Sequence, residues 1–148
     1  MKKFKLKFRD FYQLDYELNG LINRETGDIL STGLLLNENL KLATQYWLND
    51  LNTKVVAEVK AIEKLKESMV KKYGKEQENG DVFIPMFLDE ENTKINPDYE
   101  NFQKELNELL DNEKEIECFE FTLSQFEKVE TRNLPGLFKL IKPDEQTS

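Results

Sequence analysis

Apolar and polar residues alternate strictly at the start of the chain. Phe4, Leu6 and Phe8 fall on one side, and Lys3, Lys5 and Lys7 on the other. This period of two predicts a half-buried strand from Phe4 to Phe8, whose lysines protect its edge from pairing with other chains. From Asp10 the spacing changes: Phe11, Leu14, Leu18, Leu21 and Ile22 recur at helical intervals, and a Gly27-Asp28 turn follows in a polar stretch. A short first helix is predicted there.

The most regular segment runs from about Leu34 to Tyr73. Leu48, Val55, Ile62 and Met69 recur every seven residues, Leu51 and Leu65 fill intervening positions, and no Gly or Pro interrupts the run between Gly33 and Gly74. Such a pattern predicts one long helix, with Lys71 and Lys72 suiting its C-terminal dipole and Gly74 its stop. At ~1.5 Å per residue, some 36 residues make a helix of roughly 54 Å.

Beyond the Asn79-Gly80 turn signal, Val82 to Leu88 is a brief apolar stretch carrying Pro85, an edge strand or extended loop. Asn96 then caps, and Pro97 opens, a second helix with the stripe Tyr99, Phe102, Leu106, Leu109 and Leu110, ending near Asn112. Alternation from Glu115 to Leu123 predicts a further strand. Ser124 with Glu127 matches a weak capping box, while Leu134, Leu137, Phe138 and Ile141 predict a turn or two of helix around Pro135-Gly136. The fold class expected is α+β, mainly α: a long helical hairpin with one small antiparallel sheet from Phe4 to Phe8, Val82 to Phe87 and Glu115 to Leu123. One domain is expected over residues 1–142, with residues 143–148 as a flexible tail.

Composition narrows the chemistry. The 148 residues hold 29 acidic and 21 basic side chains, a single cysteine and no histidine, for a net charge of −8. Without imidazole, nucleophilic triads and histidine-ligated metal sites are absent from the repertoire. The lone Cys118 supports neither an internal disulfide nor a four-thiolate zinc site, which fits a reducing compartment. Net negative charge argues against direct nucleic-acid binding, with Lys2, Lys3, Lys5, Lys7 and Arg9 as a short basic exception. No run approaches the ~20 apolar residues of a membrane span, so no membrane partner is expected.

Carboxylates are the plentiful remaining groups. Glu105, Glu108 and Asp111 share one helix face, and Glu63 and Glu67 another. Di-iron helix bundles use Glu-x-x-His, however, and these acids neighbour Lys66, Lys71 and Lys104, so both sets read as solvated helix faces. The glycines form neither a calcium loop nor a phosphate loop. Cys118 lies among Glu113, Glu115, Glu117 and Glu120, a field that opposes thiolate formation, and reads as a core residue. No catalytic, cofactor-binding or metal-binding residue is assigned, and no cofactor is expected.

The heptad stripe must be buried against something, either the shorter helix of the same chain or a second copy. The candidate interaction residues are therefore Tyr46, Trp47, Leu48, Val55, Ile62 and Met69. Trp47 is an interface anchor or a core residue. If the hairpin buries Leu106, its replacement by Ala costs about 2–5 kcal/mol, whereas Asp89→Ala and Glu91→Ala are silent.

The helix ending Lys71-Lys72-Tyr73-Gly74, the acidic Asn-Gly stretch, the helix Phe102-Gln103-Lys104-Glu105-Leu106-Asn107-Glu108-Leu109-Leu110, the strand from Glu115 and a short apolar closing segment occur in combination. From about Leu40 to Ile141 the chain thereby resembles small proteins of tailed bacteriophages and prophages of low-GC or Bacteroides-like hosts, a group with a long helical hairpin and no catalytic residues to carry over. The resemblance implies a setting: a non-enzymatic phage protein acting by protein–protein interaction in virion structure or assembly, located in the host cytoplasm or the virion, with a protein partner or itself as ligand. The alternative in that setting is an acidic inhibitor of a host or defence nuclease, against which stand the lysines interspersed among the acids. An enzyme would need a carboxylate site that the sequence does not locate.

Overall fold

The computed structural model describes residues 1–23, 25–129 and 134–143. In chain order its elements are strand β1 (Lys2–Lys7), helix α1 (Phe8–Asn19), strands β2 (Gly20–Ile22) and β3 (Ile29–Thr32), helix α2 (Leu42–Tyr73), strands β4 (Lys75–Glu76) and β5 (Val82–Phe83), helix α3 (Pro97–Leu110), strand β6 (Glu113–Cys118) and the single turn α4 (Pro135–Phe138). Two 3-10 turns, Leu34–Leu36 and Leu123–Phe126, accompany them. The fold is α+β and mainly α, dominated by the 32-residue α2. Contacts divide the chain into two compact units, Met1–Val59 with Glu113–Ser148 and Lys60–Asn112; α2 contributes residues to both.

In the first unit, β1 and β6 pair antiparallel from Lys2↔Cys118 to Lys7↔Glu113. The pleat sends Leu6, Ile116 and Cys118 into the core. On the open face Lys3, Lys5 and Lys7 stand opposite Glu117, Glu115 and Glu113, so cross-strand charge pairing supports the register. At the strand-to-helix junction the Asp10 carboxylate accepts the Lys7 N–H at 2.8 Å and the Lys139 ammonium at 2.7 Å. Phe11, Leu14 and Leu18 form the buried stripe of α1, and Leu48, Leu51 and Val55 that of the α2 segment in this unit. They share the unit with the fully buried Phe121, Phe126, Leu137, Leu140 and Ile141.

Several boundaries differ from the periodicity, each for a local reason. The first strand is Lys2–Lys7, and Phe8 already begins α1. Leu21 and Ile22 lie on β2, not on α1, because Gly20 at φ +80° ends the helix with its N–H bonded to the Tyr16 carbonyl. A Cβ at Gly20 would lie 2.3 Å from the Ser31 carbonyl oxygen, and one at Gly33 2.2 Å from that of Leu18, so this β2–β3 base admits only glycine. The long helix starts at Leu42 instead of Leu34. The Asn37 side chain takes the Asn39 N–H at 2.8 Å, a local turn that competes with helix after the 3-10 turn. Strand β6 begins at Glu113 and stops at Cys118, before Leu123; beyond it Phe121 joins Ile141 in an isolated parallel bridge. The 3-10 turn at Leu123–Phe126 is capped by Thr122 with Gln125, not by Ser124 with Glu127.

The predicted three-stranded sheet is not formed. Strand β5 pairs with β4 in a separate ribbon, Lys75↔Phe83 and Glu76↔Val82, within the second unit. The Asn79-Gly80 turn, with Gly80 at φ +87°, brings these neighbours together at small entropic cost, and Pro85 offers no N–H to extend the ladder. In the same unit Gly74 ends α2, its N–H bonded to the Val70 carbonyl at 2.7 Å. Asn96 caps α3 by accepting the Asp98 N–H at 3.0 Å, with Pro97 at the first helical position. The tail expected over residues 143–148 lies outside the described residues from 144 onward.

Candidate interaction surface

The six interaction residues read from the heptad separate by depth. Leu48, Val55 and Ile62 are buried by the chain itself, Met69 and Trp47 are half-buried, and Tyr46 is exposed. Trp47 stacks on Phe119 with ring centroids 4.9 Å apart and planes 7° from parallel. Tyr46 meets its edge at 5.0 Å on the outside, while Phe119 passes the contact inward to Phe121 at 5.1 Å. Trp47 thus joins an aromatic ladder from surface to core. Leu36 and Leu42 of the same unit are also exposed, and the Gln45 side-chain amide donates to the Asn37 carbonyl at 3.0 Å.

In the second unit the last turns of α2 face α3 across an open groove of about 610 Å³. Leu65, Ser68 and Met69 form one wall, and Glu108, Leu109 and Asn112 the other. Lys72 and Glu105 bridge its end at 3.1 Å. Their hydrogen bond raises the lysine pKa and lowers that of the glutamate, each partner favouring the other's charged form. Leu106 and Leu109 are only half-buried, so the hairpin does not enclose the stripe that periodicity assigned to its interior. Of the two carboxylate sets with helical spacing, Glu105 is engaged by Lys72, and Glu108 and Asp111 are exposed; Glu63 and Glu67 border another open groove beside Lys66 and Lys71.

The chain's longest apolar run, Val82 to Leu88, has no buried side chain: Phe83, Met86 and Leu88 are exposed and the other four half-buried. Its backbone is nevertheless held. The Asn96 N–H donates to the Met86 carbonyl at 2.9 Å, the Asn96 side-chain amide to the Pro85 carbonyl at 2.8 Å, and the Leu88 N–H to the Lys94 carbonyl at 2.8 Å, so Phe87 and Ile95 lie opposite one another. The intervening loop closes on Asp89, whose carboxylate accepts the Thr93 N–H at 2.9 Å, the Lys94 N–H at 3.0 Å and the Thr93 hydroxyl. The hydroxyl contact leads the interactions that hold the Asp89 pKa below its ordinary value. Asn92 accepts the left-handed conformation at φ +60° to complete the turn.

Charge marks the same region. Residues 76–100 contain eight acidic side chains and one basic, Lys94, a net −7 within a chain of −8. The remaining residues are almost neutral. Helical periodicity hides this signal, because the segment is largely non-helical; a count of charge along the chain reveals it. Cys118, by contrast, is buried beneath the first unit's sheet, and desolvation pushes its thiol up to about 11. Among the described residues no helix is long and apolar enough to cross a membrane, and no group of three or more acidic or cysteine side chains is placed to hold a metal ion. No family model, curated protein or solved structure matches the chain.

Proposed function

We propose that the protein is a non-enzymatic interaction component, acting in virion structure or assembly of a tailed phage and found in the host cytoplasm or the virion. The phage setting rests on the sequence resemblance. The observation that carries the interaction reading is the distribution of core: within Lys60–Asn112 only Ile62 and Phe102 are buried apolar side chains, while Leu65, Phe83, Met86, Leu88 and Ile95 are exposed. A unit with so little interior gains little from its own burial, and grouped exposed apolar side chains mark association surfaces. The carboxylates on open helix faces and the inert, buried thiol of Cys118 fit no catalytic role.

Quantitative mass spectrometry of density-purified particles and of assembly intermediates tests this reading. A fixed ratio to the major capsid protein, lowered by Leu65→Glu or Leu88→Glu, is the expected result. Absence from both fractions sinks it. The concentration of charge in residues 76–100 favours a second reading, an acidic inhibitor of a host or defence nuclease. Inhibition of a purified nuclease that is relieved at moderate salt, where exposed charges are screened beyond about 8–10 Å, would identify it.

A further inference from the structure

The apolar run Val82 to Leu88 has no buried side chain, yet hydrogen bonds hold its backbone on both sides of Phe87. Phe83 and Met86 are each 47% exposed, Ile95 53% and Leu88 60%, although all four are large apolar side chains. The backbone bonds from Asn96 to Met86 and from Leu88 to Lys94, together with the Asp89 turn, hold Met86, Leu88 and Ile95, while pairing with β4 holds Phe83. Such a segment is pre-organised: a partner that covers it has little backbone entropy left to remove. Beside it Met86, Phe87, Ile95, Tyr99, Glu100 and Gln103 line a groove of about 320 Å³, at the small end of ligand-sized clefts. Tyr99 and Phe87, both half-buried, are among its lining residues.

The rim decides what fits. Asp89, Glu90 and Glu91 follow the run directly, Asp81 precedes it, and Asp98 and Glu100 lie at the start of α3. Lys94 is the only cation of this stretch. A second copy of the chain would bring a net −7 segment against another and meet like-charge repulsion at close range. Nucleic acid and an anionic lipid surface are repelled for the same reason. The chemistry that answers both halves of the surface is an apolar stripe flanked by Lys or Arg. Long cationic side chains reach an acidic rim while their aliphatic stems cover apolar ground, and a Met-containing surface adapts to varied apolar anchors.

Resting on the reading of this unit as an interaction unit, we infer that the Val82–Leu88 segment with Ile95 and Tyr99 is the docking site for a cationic amphipathic segment of a protein partner. Apolar anchors enter the Met86–Ile95–Tyr99 groove, and the flanking cations pair with Glu90, Glu91 and Glu100. The apolar contacts supply the affinity, and the charges supply orientation and speed of encounter.

Titration calorimetry of the full-length protein with three synthetic peptides of about 18 residues tests the assignment. They are a leucine–lysine amphipathic helix, its leucine–glutamate counterpart, and a leucine–lysine peptide of the same composition whose order destroys the apolar stripe. The first peptide is expected to bind, more weakly at high salt; the second is expected not to bind, and the third to bind at least about tenfold more weakly. The double variant Met86→Ser/Leu88→Ser should lose about tenfold or more with an unchanged circular dichroism spectrum, since both side chains are exposed. Leu36→Ser/Leu42→Ser, in the first unit, should bind as the wild type does.

Equal binding of the glutamate peptide, an affinity indifferent to the Met86 and Leu88 changes, or no binding of any peptide overturns the assignment. So does self-association in light scattering that Met86→Ser/Leu88→Ser abolishes, because the occupant is then a second copy. These outcomes bear on the partner's chemistry alone. The wider interaction reading fails on a different result, absence of the protein from particles and assembly intermediates.

Discussion

The carboxylate of Glu17 closes on the backbone of Gly136. Its two oxygens accept the Gly136 N–H at 2.9 Å and the Leu137 N–H at 2.8 Å, from 119 residues away along the chain. Glu17 is itself buried, so these bonds replace its water and tie α1 to α4. A Cβ at position 136 would lie 2.7 Å from Oε2 of Glu17 and 3.2 Å from Leu14, closer than either can accept without moving.

Two substitutions expose this lock. Glu17→Ala leaves two amide donors without their acceptor in a buried site and should cost about 2–4 kcal/mol. Gly136→Ala keeps the acceptor but forces the approach apart, for about 1–3 kcal/mol. Chemical denaturation measures both. A Glu17→Ala variant as stable as the wild type would show that water satisfies these amides and that the lock is incidental.

The two units should differ in their response to core truncation. Leu48 is fully buried in the first unit, and Leu48→Ala is expected to cost about 2–5 kcal/mol. Leu106 in the second unit is half-buried, so Leu106→Ala removes less apolar area from cover and should cost about 1–2 kcal/mol. Hydrogen exchange should show α3 amides opening at lower free energy than those around Leu48. Equal costs and equal protection would contradict the scarcity of core in Lys60–Asn112.

Helical periodicity located α2 and α3 because an amphipathic stripe is a local property. It placed Leu48, Val55 and Ile62 correctly on one face, and it found the Asn96-Pro97 start and the Gly74 stop, which depend on adjacent residues only. Pairing of strands is not local. Val82 and Phe83 look like any edge strand in sequence, and nothing in their own pattern distinguishes Lys75 and Glu76 as partners from the distant β1. The buried role of Glu17 was equally illegible, since its partners are backbone amides that carry no side-chain signature. The candidate surface was half legible. Its apolar run stood out, but exposure is a three-dimensional fact, and the acidic residues gain meaning only once Val82 to Leu88 is known to lie uncovered.

Cys118 provides a chemical check on the first unit. Burial raises its thiol from 9.0 to about 11, with Lys54 partly opposing the shift and Asp50 adding to it. The neutral form is therefore favoured in the folded protein, and the stabilisation is present below pH 9 and is lost as pH rises through the folded value. At pH 8 the native protein should react with iodoacetamide far more slowly than a denatured sample, in which the thiol regains its ordinary acidity and access. Equal rates would place Cys118 at the surface and would contradict the register that pairs it with Lys2.

The loop that presents Leu88 and Ile95 should loosen as acid protonates Asp89. The Asp89 carboxylate accepts the Thr93 hydroxyl and the Thr93 and Lys94 amides, and these bonds favour its ionised form, so its folded pKa lies below 3.8. A carboxylate with a depressed folded pKa stabilises the fold above its unfolded value; the contribution declines below that value and is gone once pH has fallen through the folded one. Asp89→Ala, silent by sequence alone, is therefore expected to release the loop at neutral pH. In an acid titration followed by NMR, the Thr93 and Lys94 amide signals should shift with a midpoint below 3.8 in the wild type and show no such step in Asp89→Ala. The Asn96 amide, bonded to the Met86 carbonyl, should stay protected in both. A wild-type midpoint at or above the ordinary aspartate value would mean that the three bonds do not persist in solution, and the apolar run would then be held from the Asn96 end alone.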